Sequence, residues 1–339
     1  MKKPTVTILM PVYNAEKYIK EAIESIINQT FTDFEFLIID DGSSDNSLNI
    51  INNYKDNRIR LYKNEQNIKL ISTLNKGIEL AKGKYIARMD ADDISLPQRI
   101  EKQVEFMEKH PEIGALGTAF ISFDDNNKYF YKTIYPSDHF SICVGMLYKM
   151  QLCHPSVIIR SKTIIDNNLR FSLNFLHAED YDFFYRLSRH AKLANLKQCL
   201  YKRRLHNEQV SNVYEDIQKN KSREIIKIQF NNIGVNLSDA QIDIFTEINY
   251  CHYQKNFSFL KEAQTILESI NEANNTTKIY DTKLFQKYLQ NLWFNVCTNL
   301  TSLGLDVYKT YKKSKLINYT FNHILSKNNK LLLKSLLKI

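Results

Sequence analysis

VTILMPVYNAEKYIKEAIESIINQTFTDFEFLIIDDGSSDNS, residues 6–47, holds two strands and the helix that joins them. Residues 6–10 are apolar and β-rich, and the run meets Pro11, which offers no N–H to a ladder. Ile19, Ile23, Ile26 and Ile27 then recur at i, i+4, i+7 and i+8, one face of an amphipathic helix. Residues 36–39 are apolar without alternation, as in a strand buried on both faces. Working outward, residues 59–62 and 85–87 read as two further strands. Leu70, Leu74, Ile78 and Ala81 stripe a helix between them, and Ile100, Val104 and Met107 stripe another, opened by Pro97. This alternation predicts an α/β domain: a mainly parallel sheet flanked by helices.

Composition narrows the chemistry. The 339 residues contain eight glycines and no G-x-G-x-x-G or G-x-x-x-x-G-K-[ST]. A nucleotide would therefore be held without the glycine cradle of a dinucleotide fold or a P-loop. The five cysteines (Cys143, Cys153, Cys199, Cys251, Cys297) are odd in number and form no Cys-x-x-Cys pair. That argues against a disulfide framework or a thiolate zinc site and points to a reducing cytoplasm. No apolar run approaches the ~20 residues of a membrane-spanning helix. The lysines of Met1-Lys2-Lys3 precede an apolar run too short for a signal peptide.

Beyond Pro155 there is no proline, and the only glycines are Gly234 and Gly304. Phe285, Leu289, Leu292 and Val296 follow helical spacing, so residues from about 216 onward read mostly as helix. The asparagine-rich patches at 271–275 and 328–329 read as loops. Of the net charge of +9, residues 309–339 carry +8, eight lysines and no acid, interspersed with leucines. A nucleic-acid binder would spread its cations along a groove with stacking aromatics, so no nucleic-acid partner is expected. A basic, leucine-rich end predicts contact with an anionic membrane surface; a solvated last helix packed on the body is the alternative.

Three polar clusters follow apolar runs: Pro11-Val12-Tyr13-Asn14, Asp40-Asp41-Gly42-Ser43 and Asp90-Ala91-Asp92-Asp93. In a parallel sheet, ligands bind beyond the carboxyl ends of strands, and three ends converging is the argument for a site. Carboxylates two apart suit a divalent cation such as Mn²⁺ or Mg²⁺, which keeps room for phosphate oxygens. An acidic turn capping the helix after Pro97 would look the same.

Those strings carry a resemblance. Residues 6–47, then GKYIARMDADDISLP (83–97), HAEDYDFFYRL (177–187) and YKRRLHNEQVS (201–211) resemble, in order, the motifs of family 2 glycosyltransferases of GT-A fold. The likeness covers about residues 4–212. Within the family it looks closest to bacterial lipooligosaccharide β-1,3-N-acetylglucosaminyltransferases. It implies a catalytic domain over 1–212, with a nucleotide-sugar half to about 110 and an acceptor half from 111. A helical region over 213–339 would follow, its basic end from 309 lying on the inner face of the cytoplasmic membrane.

The resemblance also implies roles. Pro11 and Tyr13 would line a uracil pocket and Asp41 accept the imide proton, as an acceptor-only carboxylate can. Lys69 falls where the family has a basic nucleotide contact. Asp90 would reach the ribose and Asp92 the metal, with His206 completing the metal site. Arg88 would touch the donor sugar or hold the carboxylates; a structural ion pair fits it equally. Arg203 or Arg204 would fork onto phosphate, with Arg204 the first choice. Asp180 would be the general base of an inverting transfer, with Glu179 beside it binding acceptor or exchanging roles. At the start of a helix the macrodipole favours both acids ionised, which would make Asp180 a weak base until acceptor dries the site. His154 reads as a packed histidine, and the aromatics of 181–185 mostly as core, with Tyr181 a candidate to stack on sugar.

The implied reaction moves a sugar, GlcNAc first, from a UDP-sugar donor to the terminal galactose of a lipid-linked oligosaccharide. UDP-galactose or UDP-glucose in capsule or O-antigen synthesis is the alternative, and a non-catalytic nucleotide-sugar binder a further one. A nucleotidyltransferase would carry G-x-G-x-R after the first strand, where this chain has Pro11-Val12-Tyr13-Asn14. One departure stands out: many family members have Arg-Asn before the helical glycine, and this chain has Leu74-Asn75-Lys76-Gly77.

Overall fold

The computed structural model describes residues 3–126, 128–206, 214–317 and 324–337, the side chains of 324–330 excepted. Four strands, β1 (Val6–Val12), β2 (Phe34–Asp40), β3 (Ile59–Lys63) and β4 (Tyr85–Arg88), lie parallel in the order β3-β2-β1-β4. Each runs a little past the apolar stretch that announced it. β2 is buried along nearly its whole length, as its unbroken apolar run requires. Register sets Val12 opposite Asp40 and Leu9 opposite Arg88, so the polar clusters emerge together at one sheet end. The helices α1 (Ile19–Ile27), α2 (Ser47–Asn52) and α3 (Leu70–Leu80) make the crossovers, α1 burying Ile19, Ala22, Ile23 and Ile26. α3 lies hard against β1 because Gly77 has no side chain; a Cβ there would come within 2.4 Å of Leu9 Cδ1.

The strands β5 (Ile94–Ser95), β6 (Ile113–Phe123), β7 (Tyr129–Thr133), β8 (Ile158–Arg160) and β9 (Lys192–Arg204) complete the sheet. Its order is β3-β2-β1-β4-β8-β6-β9-β5, with β7 on β6 as a hairpin. This half is mixed: β8 runs antiparallel to β4 and β6, whereas β9 runs parallel to β6. β5 pairs antiparallel with the far end of β9, Ile94 opposite Lys202. The acidic loop between β4 and β5 therefore runs from an inner strand to the edge of the same sheet. Helices α4 (Arg99–Lys109), α5 (His139–Gly145), α6 (Ser161–Asp166) and α7 (Glu179–Ser188) complete this part.

The chain divides into two compact units, one of Met1–Cys143 and Lys149–Lys221, the other of Val144–Tyr148 and Ser222–Ile339. The second is helical: Glu215–Asn232 leads into it, followed by Asp239–Asn249, Phe257–Thr277, Thr282–Asn299, Leu305–Lys313 and Ile324–Leu337. Ser238 and Gln241 form a capping box, and Asn256 and Asp281 cap the next two starts. Both asparagine patches lie in helices, against the expectation of loops. Asn274, buried, accepts from Tyr280 N–H at 2.9 Å and donates to Tyr280 O at 3.2 Å, tying down the turn after its own helix. Among the described residues no helix is long and apolar enough to cross a membrane. Within the basic end, Tyr311, Leu316 and Leu331 are buried, while Leu333, Leu336 and Leu337 are exposed. Residues 318–323, 338 and 339 of that segment lie outside the described residues.

Candidate active site

At the ends of β1 and β2 two loops hold each other. Asn14, at φ 49°, accepts from Ser44 N–H at 2.9 Å, and its own N–H donates to Ser43 Oγ at 3.0 Å. This leaves Pro11 half-buried and the Tyr13 ring exposed beside the buried Asp41. Gly42 follows at φ 71°, where a Cβ would also meet the backbone of Gln66 and Asn67 at about 3.0 Å. That backbone turns back over Asp41: Ile68 N–H donates to Asp41 Oδ1 at 3.0 Å. Lys69 comes next, exposed, at φ 72° and ψ 159°. Only glycine adopts that region without strain, which costs a lysine about 1–3 kcal/mol.

The acidic loop after β4 gathers Asp90, Asp92 and Asp93, with one oxygen from each within 4.8 Å of the others. Arg88, buried at the end of β4, forms an ion pair with Asp90. Asp92 Oδ2 lies 3.0 Å from His206 Nε2, which follows β9. Asp93 is buried and accepts from Arg204 N–H at 2.7 Å. Burial, and then the charges of Asp92 and Asp90, hold its pKa well above the carboxylate range. Oxygen donors with one imidazole suit Mn²⁺ or Mg²⁺. Cis ligands at ~2.1 Å from an octahedral ion sit ~3 Å apart, which the Asp92–His206 pair already matches. The residues present fit such an ion.

Glu179 and Asp180 open α7. Burial, and then the neighbouring Asp180 charge, push Glu179 up to about 7. Burial also raises Asp180, against the N–H of Tyr181 donating to Oδ1 at 2.7 Å and the attraction of Arg88 and Arg203. At this helix start burial outweighs the macrodipole, so Asp180 is already a stronger base than a surface aspartate. Arg88 and Arg203 are each close enough to act on both Asp90 and Asp180. The acids of the β4 loop and those at the start of α7 thus feel the same two cations.

Not every expected contact is where the strings put it. Arg204 is a clamp: Nη2 donates to Glu21 Oε2 at 2.5 Å, Nε to the Asp92 carbonyl at 2.9 Å, and Nη1 lies 3.6 Å from Asp125. The rings of Tyr18 and Phe123 sandwich it, at 4.7 and 4.5 Å. A guanidinium so engaged is not presented to phosphate; Arg203, on the Tyr201 face of β9, is the one beside Asp90 and Asp180. Tyr181 is buried in the core of α7, so it has no face to offer a sugar. His154 is packed, against Phe171 at 5.4 Å and Phe184 at 5.7 Å, and burial keeps it neutral. Tyr201, whose hydroxyl receives the Asp90 N–H at 3.3 Å, carried no sequence signal beyond strand patterning. Asn75 pins the chain at Phe171 by two 2.8 Å hydrogen bonds, which accounts for one residue of the unusual Leu-Asn-Lys-Gly string. Residues 207–213 of the last motif lie outside the described residues.

Comparison with known proteins agrees with this geometry. Residues 7–169 match the model of the family described as "Glycosyl transferase family 2". An uncharacterised glycosyltransferase of Haemophilus influenzae is 36% identical over 272 residues, covering 76% of this chain and 84% of its own length. The Escherichia coli O-antigen biosynthesis glycosyltransferase WbnJ is 31% identical over 211 residues, 60% of this chain and 80% of that one. Among solved structures, S. aureus TarS 1-349 in complex with UDP-GlcNAc superposes with a TM-score of 0.56 at 16% identity, covering 97% of this chain and 90% of that one. At that identity the likeness is one of fold, here GT-A. The chain is a glycosyltransferase and belongs to family 2.

Proposed function

We propose that this chain transfers a sugar from a UDP-sugar, with inversion, to a hydroxyl of a surface glycan. The observation that carries the reading is the buried Arg88, paired with Asp90 and close enough to act on Glu179 and Asp180. One cation thereby serves the donor acids and the base. Asp92 and His206 would hold the Mn²⁺ or Mg²⁺. When bound, that ion would offset the charge developing on the diphosphate. Pro11 and Tyr13 would flank the uracil and Asp41 accept its imide proton, while Asp90 would be turned to the ribose by Arg88. Lys69 and Arg203 would be the cationic contacts to the diphosphate. Asp180 would take the proton of the attacking hydroxyl, the raised pKa matching that task, and Glu179 would share the charge.

GlcNAc, transferred β-1,3 to a terminal galactose of a lipid-linked oligosaccharide, is the first choice; galactose or glucose in capsule or O-antigen synthesis is the second. The UDP-GlcNAc of the TarS complex and the O-antigen role of WbnJ support these in turn. The exposed Leu333, Leu336 and Leu337 in the lysine-rich end favour peripheral attachment to the inner membrane face. The test is a panel of UDP-sugars offered with lactose-terminated acceptors, the products read by mass spectrometry and NMR. A product of inverted configuration is expected. Asp180→Asn should bind UDP as before and lose nearly all transfer. Retained configuration, or normal turnover in that variant, would overturn the assignment.

A further inference from the structure

Asp41 is held from outside its own strand. Its Oδ1 accepts from Asn64 Nδ2 at 2.7 Å as well as from Ile68 N–H, and among the described residues no hydrogen bond reaches Oδ2. Asn64 is buried just past β3, its own N–H donating to the Asp40 carbonyl at 2.8 Å. Its Oδ1 accepts from Lys76 Nζ at 3.0 Å. A carboxylate on one side and an ammonium on the other leave the amide a single orientation, with Nδ2 toward Asp41. Lys76 is placed by α3, one residue before the glycine that lets the helix close on β1, and its Nζ sits 4.2 Å from the centroid of the Tyr62 ring.

We infer that Lys76 and Asn64 form a relay that sets the nucleobase selectivity of the donor site. By occupying Oδ1, the relay fixes the carboxylate plane and presents Oδ2 to the incoming base. Uracil offers an imide N–H there. Cytosine offers a lone pair, which the carboxylate repels. Asn64 and Lys76 are positioning residues acting through Asp41, so the inference rests on Asp41 being the base contact.

The test is calorimetric titration of the full chain with UDP and with CDP, each in the presence of Mn²⁺. Wild-type protein should prefer UDP by at least about tenfold. Without that preference, the reading of Asp41 fails and the relay with it. Asn64→Ala should cut the UDP-to-CDP ratio about tenfold, one hydrogen bond to a charged group, with CDP affinity little changed. Asn64→Asp should cut it further, since a second carboxylate pushes Asp41 aside. Lys76→Met, which frees the amide to turn, should cut it about threefold. CDP binding reports folding in each variant, and the half-buried Lys76 supplies the answer if the buried position does not tolerate change. Equal loss of UDP and CDP affinity, or an unchanged ratio in a selective wild type, would overturn the relay and leave Asp41 standing.

Discussion

Replacing Glu179 with glutamine should make the protein more stable in alkali and leave it nearly unchanged in acid. The folded state holds this carboxyl at about 7 against an ordinary 4.5. It therefore favours the protonated form, and the stability this contributes is complete below about 4.5 and lost as pH rises through 7. A displacement of that size is about 3 kcal/mol, most of it falling between pH 5 and pH 8. Glu179 and Asp180 titrate together, so the figure belongs to the pair. Urea unfolding of wild type and Glu179→Gln at half-unit steps from pH 5 to 8 measures it. The variant should gain on wild type by about 2 kcal/mol over that range. In the wild type, kcat/KM should rise toward a plateau above about pH 7 as the pair ionises. Parallel stability curves for the two proteins would refute the reasoning, because a solvated Glu179 has no such penalty to relieve.

Other outcomes follow from the same site. Asp92→Asn and His206→Ala should each weaken Mn²⁺-dependent UDP binding by at least about tenfold, and equal UDP affinity with and without EDTA would remove the ion from the account. Lys69→Gly should raise the unfolding free energy by about 1–2 kcal/mol as strain is released, and weaken UDP binding if the ammonium reaches phosphate; melting curves and titrations separate the two effects. Leu333, Leu336 and Leu337 changed together to serine should lower sedimentation with phosphatidylglycerol vesicles severalfold while the helical circular dichroism persists. Trimming from Lys309 is a poorer test, because it removes the buried Tyr311, Leu316 and Leu331 as well.

The sheet ends were legible because residues 36–39 are apolar in an unbroken run and residues 6–10 are broken only by Thr7, as suits strands buried on both faces. The acids of the β4 loop were legible by spacing. Arg203 and Arg204 were not separable, since adjacent residues on a strand face opposite ways and only the register, Ser122 opposite Arg203, says which is which. Asn64 and Lys76 lie 23 and 35 residues beyond Asp41, in no shared motif, and only the packing of α3 on β1 brings them together. Asn274 misled because an asparagine bonding across its own helix end has the composition of a loop.

The pairing of β5 with β9 has a consequence for how the protein is made. The acids at 90–93 are steadied by a strand that the ribosome delivers about a hundred residues later. Ile94 meets Lys202, Asp93 meets Arg204 and Asp92 meets His206. A nascent chain that has emerged only as far as α6 owns the parallel strands but lacks the partners that Ile94, Asp93 and Asp92 find in Lys202, Arg204 and His206. The acidic loop is therefore completed only when the last strand of the sheet arrives, however early its own residues are made.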